Sequence, residues 1–239
     1  MTGSERAVDA AAAAALELVG EGATVGLGTG RAAARFITLL GDRVRRGFPV
    51  SGVATSSDSA GLAAAAGIPL IDLSEELELD LTVDGADEVA PNLDLIKGWG
   101  GALVRERIVA AASRRQVIIV ASEKLVAHLG ERGRIPVEII PLARGPALRA
   151  LKAQGLEPEV RAAPDGAGPY RTENDNLILD CAPDPSPLTP EDARSLDRAI
   201  RRIPGVVDTG FFLGTAERVL VGHPDGRVDL MLRSDGGGG

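Results

Sequence analysis

The chain has 239 residues, which allows one large domain or two unequal ones, because domains usually hold about 100 to 200 residues. A formal net charge of -8 argues against a nucleic-acid partner, since phosphate backbones require clustered Lys and Arg. Cys181 is the single cysteine, so a disulfide framework within the chain is excluded and a reducing, cytoplasmic compartment is favoured.

Helical stretches and short apolar runs alternate over the first half of the chain. The Ala-rich beginning predicts a helix over 7–19 capped near Ser4, and its acidic residues Asp9 and Glu17 argue against a secretory signal. No apolar run approaches membrane-spanning length. The alternation that follows is typical of a parallel sheet covered by helices. The predicted strands are 24–27, 50–54, 69–73, 79–83, 93–96 and 117–121, and the predicted helices are 31–40, 58–66 and 102–113.

The order of elements changes after Lys124. The pattern there predicts a strand over 137–140, a helix over 144–154, strands near Glu159 and Leu177, a helix opened by Thr189 and a strand over 206–211. This β-α-β-β-α-β order indicates a split ferredoxin-like unit in a second, smaller domain. The segment 218–232 predicts a hairpin turned at 224–226, which we expect to return to the first domain. The Gly-rich tail at 234–239 predicts disorder.

A glycine-rich turn, GLGTG at 26–30, follows an apolar strand and opens a helix. Free backbone N–H groups and the helix dipole favour an anion at such a place. Read from Gly28, the turn also fits the loose G-x-G-x-x-A pattern of dinucleotide sites, which require an acidic residue about 20 positions further on. Hydroxyls of Thr55, Ser56 and Ser57 end the second strand instead, which favours a sugar phosphate over NAD. The alternatives are a tight turn without a ligand and, for Arg31, a surface position.

Carboxylates and a lysine follow the predicted strands. Asp84 and Asp87 come after strand 79–83, at the edge where ligands of parallel sheets gather, although either can also cap a turn. Lys97 ends strand 93–96 and precedes the loop GWGG at 98–101, whose glycines let the backbone approach a ligand. On spacing alone, Glu106 in the next helix fits a surface residue as well as a partly buried one.

The combination of these groups indicates a reaction. Burial raises the pKa of a carboxyl group and a nearby lysine lowers it, which tunes a general base. Two aspartates, a lysine, a glycine loop and a phosphate-type turn fit enolisation, in which a base takes the C2 proton and a cation stabilises the enediolate. The residues therefore predict an enzyme that interconverts the aldose and ketose forms of a small sugar phosphate. A metal site is not expected, because His128 and His223 lie far apart and outside any ligand-spaced cluster.

The chain resembles the type A ribose-5-phosphate isomerases along nearly its whole length. The matching segments are GLGTG at 26–30, TSSDS at 55–59, VDGADE at 83–88, KGWGGAL at 97–103 with Arg105 and Glu106, PVEIIP at 136–141, TENDNLILD at 172–180 and IPGVV at 203–207. The resemblance implies interconversion of D-ribose 5-phosphate and D-ribulose 5-phosphate through an enediol(ate), without cofactor, in the pentose phosphate pathway. It also implies an α/β fold in which a Rossmann-like catalytic domain (1–130 with 207–239) carries a smaller α+β ferredoxin-like domain (131–206), in a homodimer or homotetramer.

Roles for individual residues follow from the same resemblance. Glu106 is then the proton acceptor, Asp84 assists ring opening and proton movement at the oxygens, and Lys97 stabilises the enediolate. Asp87 helps to orient the sugar. The resemblance further implies substrate contacts by Thr29, Gly30, Arg31, Ala32, Gly85, Ala86, Gly98, Trp99, Gly100 and Lys124.

Two positions depart from the family pattern. The family commonly reads Gly-Thr-Gly-Ser-Thr where this chain has Arg31 and Ala32 after Gly30, so two hydroxyls are lost and a guanidinium is gained. Trp99 stands where the family usually has a glycine, and its ring either narrows the site or packs outward. Rival interpretations are the sugar-phosphate-binding domain of a regulator, an amino-sugar-phosphate deaminase and a CoA transferase. The absence of a basic cluster before Ala23 argues against the first, and the pattern from Asp84 to Glu106 favours the isomerase.

Overall fold

A computed structural model of the protein describes residues 2–183 and 188–233, so the predicted disorder at 234–239 concerns residues outside this description. The described residues fall into two compact units, and the chain passes between them four times. The first unit draws on Met1–Ala86, Arg105–Lys124 and Gly214–Gly239, and the second on Asp87–Val104 and Leu125–Leu213. The expected domain boundaries, 1–130 with 207–239 against 131–206, stay a prediction about separately folding domains.

The helices and strands are numbered in chain order. The helices are α1 (Gly3–Leu16), α2 (Arg31–Val44), α3 (Ser57–Ala66), α4 (Leu103–Ala111), α5 (Arg144–Lys152) and α6 (Pro190–Arg201). The strands are β1 (Thr24–Leu27), β2 (Ser51–Ala54), β3 (Leu81–Asp84), β4 (Glu88–Val89), β5 (Leu95–Ile96), β6 (Gln116–Ala121), β7 (Ile135–Ile139), β8 (Leu156–Val160), β9 (Leu177–Pro183), β10 (Val206–Thr209), β11 (Phe211–Phe212), β12 (Arg218–Gly222) and β13 (Val228–Leu232). None of these helices is both long and apolar enough to cross a membrane.

The first unit is built on a sheet in the order β13-β12-β6-β3-β1-β2. Neighbouring strands run parallel except for the hairpin of β12 and β13, and β12 lies beside β6. The predicted parallel sheet and the return of the C-terminal hairpin are therefore confirmed. Apolar side chains from the sheet and from α1 and α2 form one buried core, which includes Leu27, Phe36, Leu40, Val83 and Ile119.

The start of α1 differs from the prediction. Thr2, not Ser4, caps the helix, because its hydroxyl accepts from the Glu5 N–H at 3.2 Å while the Glu5 carboxylate accepts from the Thr2 N–H at 2.7 Å. This reciprocal capping box satisfies two backbone donors at once. Ser4 lies within the first turn, where its hydroxyl donates to Glu123 at 2.8 Å. The helix consequently begins and ends earlier than the predicted range 7–19.

Two strand predictions are wrong. The segment 69–73 does not form an extended strand, and the segment 93–96 forms a shorter strand that pairs with other strands than expected. The segment 69–73 makes only an isolated bridge between Leu70 and Gly52, because Pro69 has no N–H to donate and the Leu70 side chain is 39% exposed. Predicted strand 93–96 is shortened to β5, which pairs antiparallel in a sheet β11-β5-β4 of the second unit instead of joining the parallel sheet. The positive φ of Leu93, 62°, forms the tight turn that folds β5 back onto β4.

The second unit contains an antiparallel sheet in the order β10-β7-β9-β8 together with α5 and α6. Its chain order is β-α-β-β-α-β with the fourth strand beside the first, so the predicted ferredoxin-like unit is confirmed. Thr189 caps α6 in a capping box with Asp192, and Pro190 occupies the first helical position. The core of this unit includes Ile135, Leu151, Leu179, Ile200 and Phe211.

Gly222 at the end of β12 sets how closely α1 packs on the sheet of the first unit. A Cβ at this position lies 1.8 Å from the Ala7 carbonyl oxygen, so Gly222→Ala must displace helix backbone. We expect a loss of about 1–3 kcal/mol in the free energy of unfolding, measured by urea titration. Gly20→Ala is the matched control, since nothing lies within 4 Å of its added methyl. Equal stability of the two variants would contradict this packing.

Candidate active site

The carboxylate of Asp84 is the centre of the site in the first unit. Asp84 ends β3 and is 0% exposed, and its Oδ1 accepts from the N–H groups of Thr29 at 3.2 Å and Gly85 at 2.7 Å. A Cβ on Gly28 would lie 2.2 Å from that Oδ1 and 2.7 Å from the Asp84 Cα. Only glycine fits at position 28, because the backbone just after β1 passes directly against the Asp84 carboxyl group. The turn at 26–30 therefore packs against an acidic side chain of the protein itself.

Glu106 lies in the first turn of α4 and is 5% exposed. One turn later, the carbonyl oxygen of Val109 accepts from the Thr82 hydroxyl at 3.4 Å, and a Cβ on Gly26 would meet the Val109 side chain at 2.7 Å. Residues three apart share a helix face, so Glu106 faces the same strands as Val109. Three helical residues rise about 4.5 Å. Because β3 and β6 are parallel, the connecting helix α4 runs back along the sheet, and its first turn with Glu106 lies toward the carboxyl end of β3, where Asp84 is.

Hydroxyl groups cluster at the carboxyl ends of β1 and β2. The Thr29 hydroxyl lies 2.7 Å from that of Thr55 and 2.8 Å from that of Ser56. Thr55 also donates to the Leu27 carbonyl at 3.0 Å, and Ser56 caps α3 through a capping box with Ser59. Thr55 and Ser56 were absent from the predicted site residues, although TSSDS at 55–59 signalled them. This cluster provides hydrogen-bonding groups beside the Asp84 carboxylate.

The remaining predicted residues of the first unit surround these groups. Gly30 has φ 94° and precedes α2 without a side-chain cap, which leaves the first N–H groups of the helix for a ligand. Arg31 is exposed, and Ala32 is half-buried with its methyl 3.7 Å from a Cβ built on Gly85. Gly85 and Ala86 are half-buried after β3, and Lys124 ends the short 3-10 turn that follows β6.

In the second unit, Asp87 directly precedes β4 and Lys97 directly follows β5, at one end of the small antiparallel sheet. Lys97 is 2% exposed, its N–H donates to the Gly210 carbonyl at 2.9 Å, and its Nζ lies 5.5 Å from the Phe212 ring centroid. Such a distance allows a cation–π interaction. The Asp87 Oδ2 accepts from the Trp99 N–H at 2.9 Å. The structure therefore brings Asp87 against the loop that follows Lys97 within this unit.

Trp99 packs inside the second unit. Its indole N–H donates to the Arg134 carbonyl at 3.0 Å, and the Arg134 guanidinium lies 5.4 Å from the ring centroid. Gly98 and Gly101 have φ of 100° and 90°, a backbone that L side chains rarely adopt. Gly100, between them, is exposed. Trp99 is therefore the one residue of this loop with a large side chain. Gly98 and Gly101 adopt the positive φ angles that turn the loop backbone.

Glu88 is a buried carboxyl group that the sequence analysis left without a role. Burial raises its pKa, and the hydrogen bonds from the N–H groups of Arg132 and Gly130 offset this only in part. Those bonds, 2.9 and 2.7 Å long, tie β4 to the turn at 130–132. Among the described residues, no group of His, Cys, Asp and Glu is arranged to hold a metal ion.

Comparisons with known proteins agree with this architecture. A family model described as ribose 5-phosphate isomerase A (phosphoriboisomerase A) matches residues 51–226. A ribose-5-phosphate isomerase A from Gloeobacter violaceus is 48% identical over 94% of this chain and 95% of its own. The relative from Thermomicrobium roseum is 45% identical over 97% and 96%.

Solved structures show the same likeness. A ribose 5-phosphate isomerase A from Methanocaldococcus jannaschii superposes with a TM-score of 0.87 at 39% identity, covering 95% of this chain and 98% of that one. A D-ribose-5-phosphate isomerase in complex with phospho-erythronic acid gives a TM-score of 0.90 at 35% identity, covering 96% and 99%. The expected α/β class with a smaller α+β part is thereby confirmed. The chain belongs to the ribose 5-phosphate isomerase A family of aldose–ketose isomerases.

Proposed function

We propose that the protein interconverts D-ribose 5-phosphate and D-ribulose 5-phosphate through an enediol(ate), as a step of the pentose phosphate pathway. The observation that carries this proposal is the burial of two carboxyl groups, that of Asp84 at the carboxyl end of β3 and that of Glu106 in the first turn of α4. The complex of a relative with phospho-erythronic acid supports it. That sugar-acid phosphate has a planar carboxylate, which resembles an enediolate in shape and charge.

The reaction moves two hydrogens and needs no redox partner. Glu106 takes the proton from C2 of the open-chain aldose and returns it to C1, so that the electron pair of the C2–H bond becomes the C1–C2 double bond of the enediol. Lys97 neutralises the charge that develops on the oxygens. Asp84 opens the ring and transfers the proton between O1 and O2, while Asp87 orients the sugar through its position against the 98–101 loop.

The substrate phosphate is proposed to bind at the start of α2, where backbone N–H groups and the helix dipole favour an anion. Arg31 supplies charge in place of the two hydroxyls that the family commonly has. Thr55 and Ser56 extend the hydroxyl cluster around Thr29 toward the sugar. The other proposed substrate contacts are Gly30, Ala32, Gly85, Ala86, Gly98, Trp99, Gly100 and Lys124. We further infer from the family a homodimer or homotetramer in the cytoplasm.

The test is conversion of ribose 5-phosphate to ribulose 5-phosphate by purified protein, with and without a metal chelator. We expect turnover that the chelator leaves unchanged, because carboxylates and a lysine carry the proposed steps. Unphosphorylated D-ribose is the control and should react far more slowly, since the phosphate supplies binding energy. Lack of turnover by folded protein would overturn the isomerase proposal in favour of a binding module. Loss in chelator with recovery in added metal would overturn the metal-free mechanism.

A further inference from the structure

The guanidinium of Arg161 supports the loop that follows Lys97, entirely within the second unit. Its Nη1 donates to two consecutive loop carbonyls, those of Gly98 at 3.0 Å and Trp99 at 3.1 Å. Its Nε and Nη2 donate to both oxygens of Asp180, at 2.9 and 2.5 Å. Arg161 is 9% exposed, so its guanidinium group is largely removed from water. The carbonyl and carboxylate acceptors replace the lost hydrogen bonds to water. The fork geometry of arginine allows both sets of bonds at once.

A second arginine closes the arrangement into a ring. The Arg134 Nη2 lies 3.0 Å from Asp180 Oδ2, and the Arg134 guanidinium lies over the Trp99 indole, 5.4 Å from the ring centroid. The indole N–H donates to the Arg134 carbonyl. Burial raises the pKa of Asp180, and the two arginines outweigh this effect, so the carboxyl group remains ionised at neutral pH. We call Trp99, Arg134, Asp180 and Arg161 the loop ring.

The loop itself needs such support. Gly98 and Gly101 adopt positive φ, and glycines lose more conformational freedom on ordering than other residues. Tyr170 fixes the far end: its hydroxyl lies 2.2 Å from a Cβ built on Gly101, and the Arg161 guanidinium lies 5.8 Å from its ring centroid. Arg161 therefore meets the loop at its beginning and, through Tyr170, at its end.

We propose that Arg161, held by Asp180 and Arg134, is a positioning residue of the isomerase: it fixes the 98–101 loop and thereby the place of the Lys97 ammonium group. The inference rests on the proposed function, in which Lys97 neutralises the enediolate. Since that charge develops only in the transition state, misplacing Lys97 lowers kcat more than it raises KM. The family usually has a glycine at position 99, so the contacts that Trp99 adds to the loop ring are a feature of this chain.

The first readout is independent of activity. Trp99 is the single tryptophan of the chain, so intrinsic fluorescence reports on the loop alone. We expect Arg161→Lys, which loses the fork, and Arg161→Met to increase quenching of Trp99 by acrylamide. Arg171→Met is the matched control, because Arg171 is exposed and pairs with Asp175 at 3.5 Å, outside the ring. Unchanged quenching in both Arg161 variants would overturn the positioning role, whatever the enzyme's activity.

The second readout is catalysis. A displacement of the ammonium group by about 1 Å is expected to lower kcat about 10- to 100-fold in Arg161→Lys, with little change in KM. Arg161→Met alone leaves the half-buried Asp180 with Arg134 as its remaining cationic partner. The double variant Arg161→Met/Asp180→Leu replaces both members of the Arg161–Asp180 pair by apolar groups, which often preserves stability. A low kcat in this folded double variant supports positioning, and wild-type kcat in it would overturn the proposal.

Trp99 quenching and kcat together distinguish failure of the proposed isomerase activity from failure of the proposed positioning role of Arg161. Wild-type protein that leaves ribose 5-phosphate unconverted would refute the proposed function, while the fluorescence comparison would still decide whether Arg161 orders the loop. Greater quenching together with an unchanged kcat, in a wild type that does convert ribose 5-phosphate, would overturn the link from the loop to catalysis. Greater quenching with reduced kcat and near-constant KM is the expected result.

Discussion

Glu106→Gln is expected to lower kcat by about 10²- to 10⁴-fold, because a glutamine amide cannot accept the C2 proton. The substitution keeps side-chain size, so a residue only 5% exposed keeps its packing. KM is expected to change little, because Glu106 takes the proton in the transition state and its loss does not weaken binding of the substrate in the ground state. Steady-state conversion of ribose 5-phosphate, measured with the unfolding curve of each protein, provides the check.

Glu157→Gln serves as the matched control for this variant, because Glu157 is an exposed glutamate of β8. Wild-type protein in D₂O should incorporate solvent deuterium into the sugar at carbon, whereas Glu106→Gln should do so far more slowly. If Glu106→Gln kept kcat within a few-fold of wild type, another group would have to be the base.

Gly28→Ala is expected to lower kcat by about 100-fold or more through the Asp84 carboxylate. The added methyl would lie 2.3 Å from the Asp84 Cγ and 2.7 Å from its Cα, so either the side chain or β3 must move. Displacements of about 1 Å at a catalytic group typically have effects of this size. The N–H of Thr29, which donates to Asp84, would move with it.

A variant with similar crowding away from the site distinguishes a loss of protein stability from a displacement of the Asp84 carboxyl group. Gly41→Ala crowds α2 against α3, where the added methyl meets the Ala66 Cβ at 2.4 Å. It is expected to lower the free energy of unfolding by about 1–3 kcal/mol while kcat stays near wild type. Equal losses of kcat in Gly28→Ala and Gly41→Ala, measured well below both melting temperatures, would show that crowding alone explains the effect.

Local patterns predicted much of the fold. Strand periodicity located β1 to residue precision, and the β-α-β-β-α-β order of the second unit follows from short, well-separated elements. The prediction failed at 69–73 and 93–96, where apolar runs look like strands but Pro69 and the positive φ of Leu93 prevent extended pairing. Pairing partners depend on which strands meet in space, and a run of apolar residues does not encode that.

The candidate site was predictable where its residues lie close together in sequence. Asp84 and Lys97 were predicted because each follows an apolar run, whereas Glu106 was predicted from the groups around it and from the resemblance to the isomerase family. Their roles stay predictions. The contact of Gly28 with Asp84 was not foreseen, since the turn at 26–30 alone suits a ligand as well as a side chain. The pairing of Arg161 with Asp180 joins adjacent strands 19 positions apart, and many arginines and aspartates satisfy such a separation. Long-range pairs of this kind are decided by packing.

The position of β12 imposes an order on biosynthesis. β12 lies between β6 and β13, and α1 packs against both β6 and β12, with Gly222 in contact with Ala7. Helix α1 therefore completes its packing only after the later strand β12 has been made, and until then β6 is an open sheet edge of apolar residues. A nascent chain stopped before residue 218 carries that edge and is expected to aggregate or to bind chaperones until the hairpin is complete.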